Sequence, residues 1–169
     1  GADRRDWWRG GWGWWRLAGD SEFAARYLSI LYTVISLSLI YRIGLRWFGA
    51  PRHGWFALMA LGSSAYFFVY ALELRPYALV MLVASLSMLL YHNWLLSPTS
   101  RRAVYYGASV ALMVHVHYYL FFLILAQTLY LFILFRPTRQ HIRSGLMAVA
   151  VGALLWLPWL PGFISQMQH

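Results

Sequence analysis

The sequence predicts an all-α fold, a polytopic transmembrane bundle of about six membrane helices, and three observations carry that prediction. Of 169 residues, 61% are hydrophobic and 11% charged, where soluble domains run near 45–50% apolar and about 25% charged. Apolar runs recur at lengths that cross roughly 30 Å of hydrocarbon at about 1.5 Å per residue. The formal charge of +9 comes from 14 arginines with no lysine, set between those runs. A nucleic-acid binder would gather its basic residues on one solvated face, so nucleic acid is excluded as a partner and membrane lipid is expected.

Residues 1–23 form a polar external or interfacial segment. Trp7, Trp8, Trp12, Trp14 and Trp15 alternate there with Arg4, Arg5, Arg9 and Arg16. Tryptophan belongs at the headgroup level of a bilayer, and the same cluster also suits a surface on which sugars stack. Asp20 or Ser21 is placed to cap the helix that carries Arg26, which accounts for Asp20 and Glu22. No apolar core of a signal peptide occurs in this stretch.

The transmembrane bundle occupies residues 24–163. Its first span, 27–45, carries Arg42 late, where a long side chain reaches the interface. Residues 54–72 are uncharged, and 76–96 follow at once, with Pro76 suited to the first turn of a new helix. The two read as a helical hairpin whose tip is Glu73-Leu74-Arg75. Residues 103–135 are 33 in number and hold no formal charge; a single helix of that length would be about 50 Å long, more than a bilayer needs. The break is placed at His115-Val116-His117-Tyr118-Tyr119, giving spans 103–114 and 118–135. A last span, 144–160, ends in Pro158 and Pro161, and 164–169 form an external tail.

The charges test this topology. Six crossings put Arg42, Arg46, Arg52, Arg101, Arg102, Arg136, Arg139 and Arg143 on one side with no acid, and six arginines with all five acids on the other. The net charge divides into +8 and +1. Basic loops stay in the cytoplasm, so the arginine-rich connections are expected on the cytoplasmic side of the membrane.

The external face then collects Arg26, Glu73, Arg75, His115, His117 and several tyrosines. Ionisable groups at a membrane are costly and mark function. Arginine binds a phosphate bidentately and a carboxylate holds a sugar hydroxyl, yet Glu73 and Arg75 are also what a water-exposed hairpin tip carries. His115 and His117 point apart on a helix and together on an extended segment. With no carboxylate or cysteine beside them to complete a first shell, hydrogen bonding is expected and no metal or other cofactor. A general base for acyl or glycosyl chemistry is not apparent among these groups.

Several motifs lie in order along the chain: Gly19-Asp20-Ser21-Glu22-Phe23-Ala24-Ala25-Arg26-Tyr27, Tyr41-Arg42 with Gly44, Glu73-Leu74-Arg75-Pro76-Tyr77, His117-Tyr118-Tyr119 and Leu157-Pro158-Trp159-Leu160-Pro161. Together they resemble the GT-C fold membrane glycosyltransferases, and among them the bacterial relatives of protein O-mannosyltransferases and aminoarabinose transferases. The resemblance covers residues 19–163 and implies part of a larger fold. It implies transfer of a sugar from a polyprenyl-phosphate donor to a lipid, glycan or protein acceptor on the extracytoplasmic face. Phosphate binding would fall to Arg26, with Glu73, Arg75, Tyr77, His117 and Tyr118 lining the same cleft. The family's catalytic acid sits in a loop between a first membrane helix and the arginine helix. The polar residues 1–18 occupy that place here, and Asp3 and Asp6 lack the flanking pattern. The chain is therefore expected to be a fragment, inactive by itself, whose base belongs to an upstream loop. Two other readings of the residues are a transporter or flippase-like bundle and a non-catalytic membrane scaffold.

Overall fold

A computed structural model of the chain describes residues 22–64 and 77–159, and these are entirely helical apart from short connections. The helices are α1 (Glu22–Phe48), α2 (Pro51–Gly62), α3 (Tyr77–Leu96), α4 (Ser100–Val116), α5 (Leu120–Leu129) and α6 (Arg139–Trp156). α5 continues as a π-helical stretch, Tyr130–Phe135, and α6 ends in a 3₁₀ turn, Leu157–Trp159.

Local chemistry sets the turns. α1 stops at Gly49, whose φ of 76° lies in the left-handed region that glycine enters without a Cβ penalty, and Pro51 then opens α2. Pro98 disfavours helical backbone at Ser97, so α3 ends at Leu96 and Thr99 restarts the chain by accepting the Arg102 backbone N–H on its side chain. The same device recurs at Arg136-Pro137-Thr138. Arg136 takes φ 58°, and Thr138 caps α6 by accepting the His141 backbone N–H. α4 breaks at His117, which is extended at φ −161° and ψ 132°.

These turns alternate between two ends. The connections at Gly49-Ala50, at residues 97–99 and at residues 136–138 share one end, flanked by Arg46, Arg52, Arg101, Arg102, Arg136 and Arg139. The start of α3 and the turn at residues 117–119 share the other. The expected spans 103–114 and 144–160 fall largely within α4 and α6, which begin earlier because threonine caps draw Arg101, Arg102 and Arg139 into their first turns. The expected span 54–72, by contrast, is not one helix, since α2 ends at Gly62 and Ser63 and Ser64 lie outside it. Arg26–Phe48 and Tyr77–Leu96 are each long and apolar enough to cross a membrane, with a mean hydropathy of 1.7. The Glu73 and Arg75 hairpin tip, residues 1–21 and the tail lie outside the described residues.

Packing sets large apolar side chains outside and small polar ones within. Large apolar side chains face outward, among them Phe122, Leu134, Leu146 and Val149, all about two-thirds exposed, whereas Ser36, Ser85, Ser87, Ser109, Gln127 and Ser144 are buried. A soluble domain does the reverse. Small residues bring the helices together, as expected where lipid removes the hydrophobic drive between them. Ala103, Gly107 and Ala111 of α4 are buried at four-residue intervals, as are Ser144, Ala148 and Gly152 of α6. The two stripes meet, because a Cβ added at Gly107 would lie 2.3 Å from the Ala148 carbonyl oxygen. α1 and α2 use Gly44 and Gly54 alike: a Cβ at Gly44 would lie 2.7 Å from the His53 oxygen.

Candidate functional site

The end away from the arginine-rich turns is built from the starts of α1 and α3 and from the turn between α4 and α5. At the arginine-rich end, the Arg46 guanidinium donates to the Asn93 side-chain oxygen and the Trp47 ring lies 5.4 Å from His92, which fixes α1 against α3. From that joint, Arg26 lies about 30 Å along α1 and Tyr77 about 24 Å along α3, at about 1.5 Å per residue. Both therefore reach the far end, within two helical turns of each other in height. Arg26 is exposed there.

The turn at residues 117–119 reaches the same level. Met113, one turn below His117, is buried with Val83 and Leu120 in a single apolar cluster, which sets the end of α4 beside the first turns of α3. His117, Tyr118 and Tyr119 form an aromatic group. The imidazole stacks on Tyr118 at 4.9 Å and on Tyr119 at 5.1 Å, and the two phenol rings are 4.2 Å apart. The His117 ring accepts the Tyr119 backbone N–H at Nδ1, 3.3 Å, which leaves Nε2 to carry the proton of the neutral ring. Both tyrosines are largely exposed. A hydrogen bond with Tyr119 holds the Tyr118 hydroxyl above its ordinary phenol range, and the nearby Tyr77 adds to the effect. Tyr118 thus stacks on His117 and lies within electrostatic reach of Tyr77. Apolar ring faces with hydroxyl and imidazole donors at their edges suit a sugar.

His115 takes no part in this group. It remains in α4, with Nδ1 2.7 Å from the Ala111 carbonyl oxygen one turn below, and His117 has left the helix. Glu73 and Arg75 lie outside the described residues.

The structure also holds a buried polar cluster that the motifs do not indicate. Gln127 accepts the Tyr106 hydroxyl on its side-chain oxygen at 2.8 Å and donates to Ser87 at 3.4 Å, while its carbonyl accepts the Tyr91 hydroxyl at 2.6 Å. Nearby, the Trp94 indole N–H donates to Ser144 at 2.9 Å, and His141 Nε2 lies 3.0 Å from the Leu95 carbonyl oxygen. A lone amide in an otherwise apolar run was the available signal, since polar groups at such depth are kept for a reason. Each polar group here has a partner in a neighbouring helix, so the cluster ties α3, α4, α5 and α6 together.

Compared with known proteins, the chain matches the model of one family, described as dolichyl-phosphate-mannose-protein mannosyltransferase, over residues 12–161. No curated protein and no solved structure matches it.

Proposed function

Because the chain belongs to the dolichyl-phosphate-mannose-protein mannosyltransferase family, a family of membrane glycosyltransferases, we propose that it carries the donor-binding end of an enzyme that moves a sugar from a polyprenyl phosphate to a lipid, glycan or protein acceptor. What supports this reading is the stack of His117 on Tyr118 and Tyr119, within electrostatic reach of Tyr77, at the end of the bundle toward which Arg26 also lies. In this proposal Arg26 takes the donor phosphate, a role for which a planar, permanently charged guanidinium is suited. The rings of Tyr118 and Tyr119 receive the sugar face, and the Tyr77 hydroxyl and His117 Nε2 bond its hydroxyls. Arg75 offers the phosphate a second guanidinium and Glu73 a carboxylate for a sugar hydroxyl, both immediately before α3 in the chain.

Orientation follows from charge. Eight of the fourteen arginines lie in or beside the three connections of one end, and no acid does. That end is proposed to face the cytoplasm of a bacterial inner membrane, with the donor site on the extracytoplasmic face. All six helices then cross or enter the bilayer. The acid that deprotonates an acceptor hydroxyl is assigned to no residue of this chain, and no cofactor is assigned either.

Binding of a radiolabelled polyprenyl-phosphate mannose to the chain in lipid nanodiscs tests the proposal. Loss of a charge-assisted phosphate contact costs about 1.5–3 kcal/mol, so Arg26→Ala and Arg75→Ala should each weaken binding by about tenfold to a hundredfold while insertion is unchanged. Equal affinity in both variants and the unmodified chain would remove the basis for the assignment.

A further inference from the structure

At the arginine-rich end, on the opposite side of the bundle from the donor site, a cleft opens between α5 with its π-helical continuation and α6. Its volume is about 230 Å³. Trp94 and Tyr106 form its floor, stacked at 5.6 Å and almost wholly buried. Phe132 forms one wall and Ile142, Leu146 and Val149 the other. These wall residues are 50–70% exposed, so the cleft is open sideways to whatever surrounds the bundle.

The sequence explains why the cleft exists. The small stripe Ser144, Ala148 and Gly152 turns toward α4, and with 3.6 residues per turn that leaves Ile142, Leu146 and Val149 on the flank facing α5. α5 rests on α3 and α4 instead, drawn there by the hydrogen bonds of Gln127. The two helices are therefore held by common neighbours with a furrow between them.

Arginines flank the end of the furrow, outside its lining. Arg139 precedes Ile142 by three residues and Arg143 precedes Leu146 by three, so each lies about one turn toward the end of the bundle on the wall's own flank. Arg136 follows Phe135 directly at the end of the other wall. All three arginines are exposed, and the chain has no acidic residue after Glu73. Neutralisation from within this part of the chain is therefore not available.

We infer that this cleft is a binding site for an anionic phospholipid, which lays an acyl chain along Trp94, Tyr106 and the apolar walls and sets its phosphate among Arg136, Arg139 and Arg143. The charge at the mouth selects an anionic headgroup, as basic pockets between membrane helices do. The inference does not depend on the donor site, because it concerns the other end of the bundle.

Native mass spectrometry of the detergent-released chain with added dioleoyl phosphatidylglycerol or dioleoyl phosphatidylcholine tests it. The unmodified chain should retain phosphatidylglycerol at least tenfold better than phosphatidylcholine. Arg139→Gln with Arg143→Gln should reduce that retention roughly fivefold for each charge removed. Leu146→Trp, which fills the cleft and leaves every arginine in place, should also lose it. Equal retention of the two lipids overturns the proposal. So does loss in the arginine variant with full retention in Leu146→Trp, which would mean surface charge attraction without a seated chain. Because the sequence contains no cysteine, Leu146→Cys gives an independent check. Oxidative cross-linking of two copies through it in membranes would show a second protein on this face, and would overturn the lipid assignment.

Discussion

Gly107 and Ala148 touch backbone to backbone, so that a methyl group placed on Gly107 would meet the Ala148 carbonyl oxygen at 2.3 Å. No flexible side chain lies between them to yield, and α4 and α6 would have to separate. Gly107→Ala is therefore expected to destabilise the bundle by about 1–3 kcal/mol, the usual cost of overpacking. Gly145 provides the control. A Cβ there would lie 3.5 Å from the Trp94 ring, an ordinary contact, and Gly145→Ala should be neutral or slightly stabilising because alanine is the better helix former. Unfolding by steric trapping in bicelles measures both, and equal effects at the two glycines would contradict the packing described.

The Tyr106 and Gln127 side chains join α4 to α5 by one buried hydrogen bond. Tyr106→Phe and Gln127→Leu should each destabilise the bundle, and the double variant should cost less than the sum of the two. Couplings of this kind in membrane proteins average about 0.6 kcal/mol and reach about 1.7. A double-mutant cycle on folding stability reads the coupling directly. Strict additivity would mean that the bond contributes nothing.

Topology has a simple readout, since the chain contains no cysteine. Ser100→Cys places a single thiol at the arginine-rich end and Tyr119→Cys one at the other, both at exposed positions. In intact spheroplasts a membrane-impermeant maleimide should label Tyr119→Cys at once and Ser100→Cys only after permeabilisation. The opposite order would reverse the orientation proposed from the arginines.

Much of the fold could be read in the sequence because its determinants are local. Gly49 and the prolines at 51, 98 and 137 stop or open helices through their own backbone chemistry, and Thr99 and Thr138 each cap the next helix through a backbone N–H three residues on. The division of 103–135 into two helices needed only the limit on helix length in a bilayer. Its position needed more: His115 and His117 share a segment, and only the structure shows that the helix ends between them at Val116. Pairing across helices was not legible. Gln127 finds Tyr106 and Ser87 at separations of 21 and 40 residues, and such pairing depends on how each helix is rotated about its axis, which apolar composition leaves almost unspecified when lipid and core are equally greasy. The meeting of Gly107 with Ala148 has the same origin, though the small residues at four-residue spacing announce it once they are looked for. In the candidate site, the charge-derived topology places Arg26 and His117 on one face, and motif resemblance singles out Tyr77 and Tyr118. The stacking of His117 with Tyr118 and Tyr119 depends on the helix ending at Val116.

The end bearing Tyr77 and residues 117–119 is proposed to receive a lipid-linked sugar. A polyprenyl-phosphate mannose analogue with a diazirine on the sugar, irradiated with the chain in nanodiscs and mapped by peptide mass spectrometry, tests this most directly. Label is expected on peptides containing Tyr77 and His117-Tyr118-Tyr119, and is lost when unmodified donor is added in excess. Competable label confined to the arginine-rich end, or no competable label at all, would contradict it.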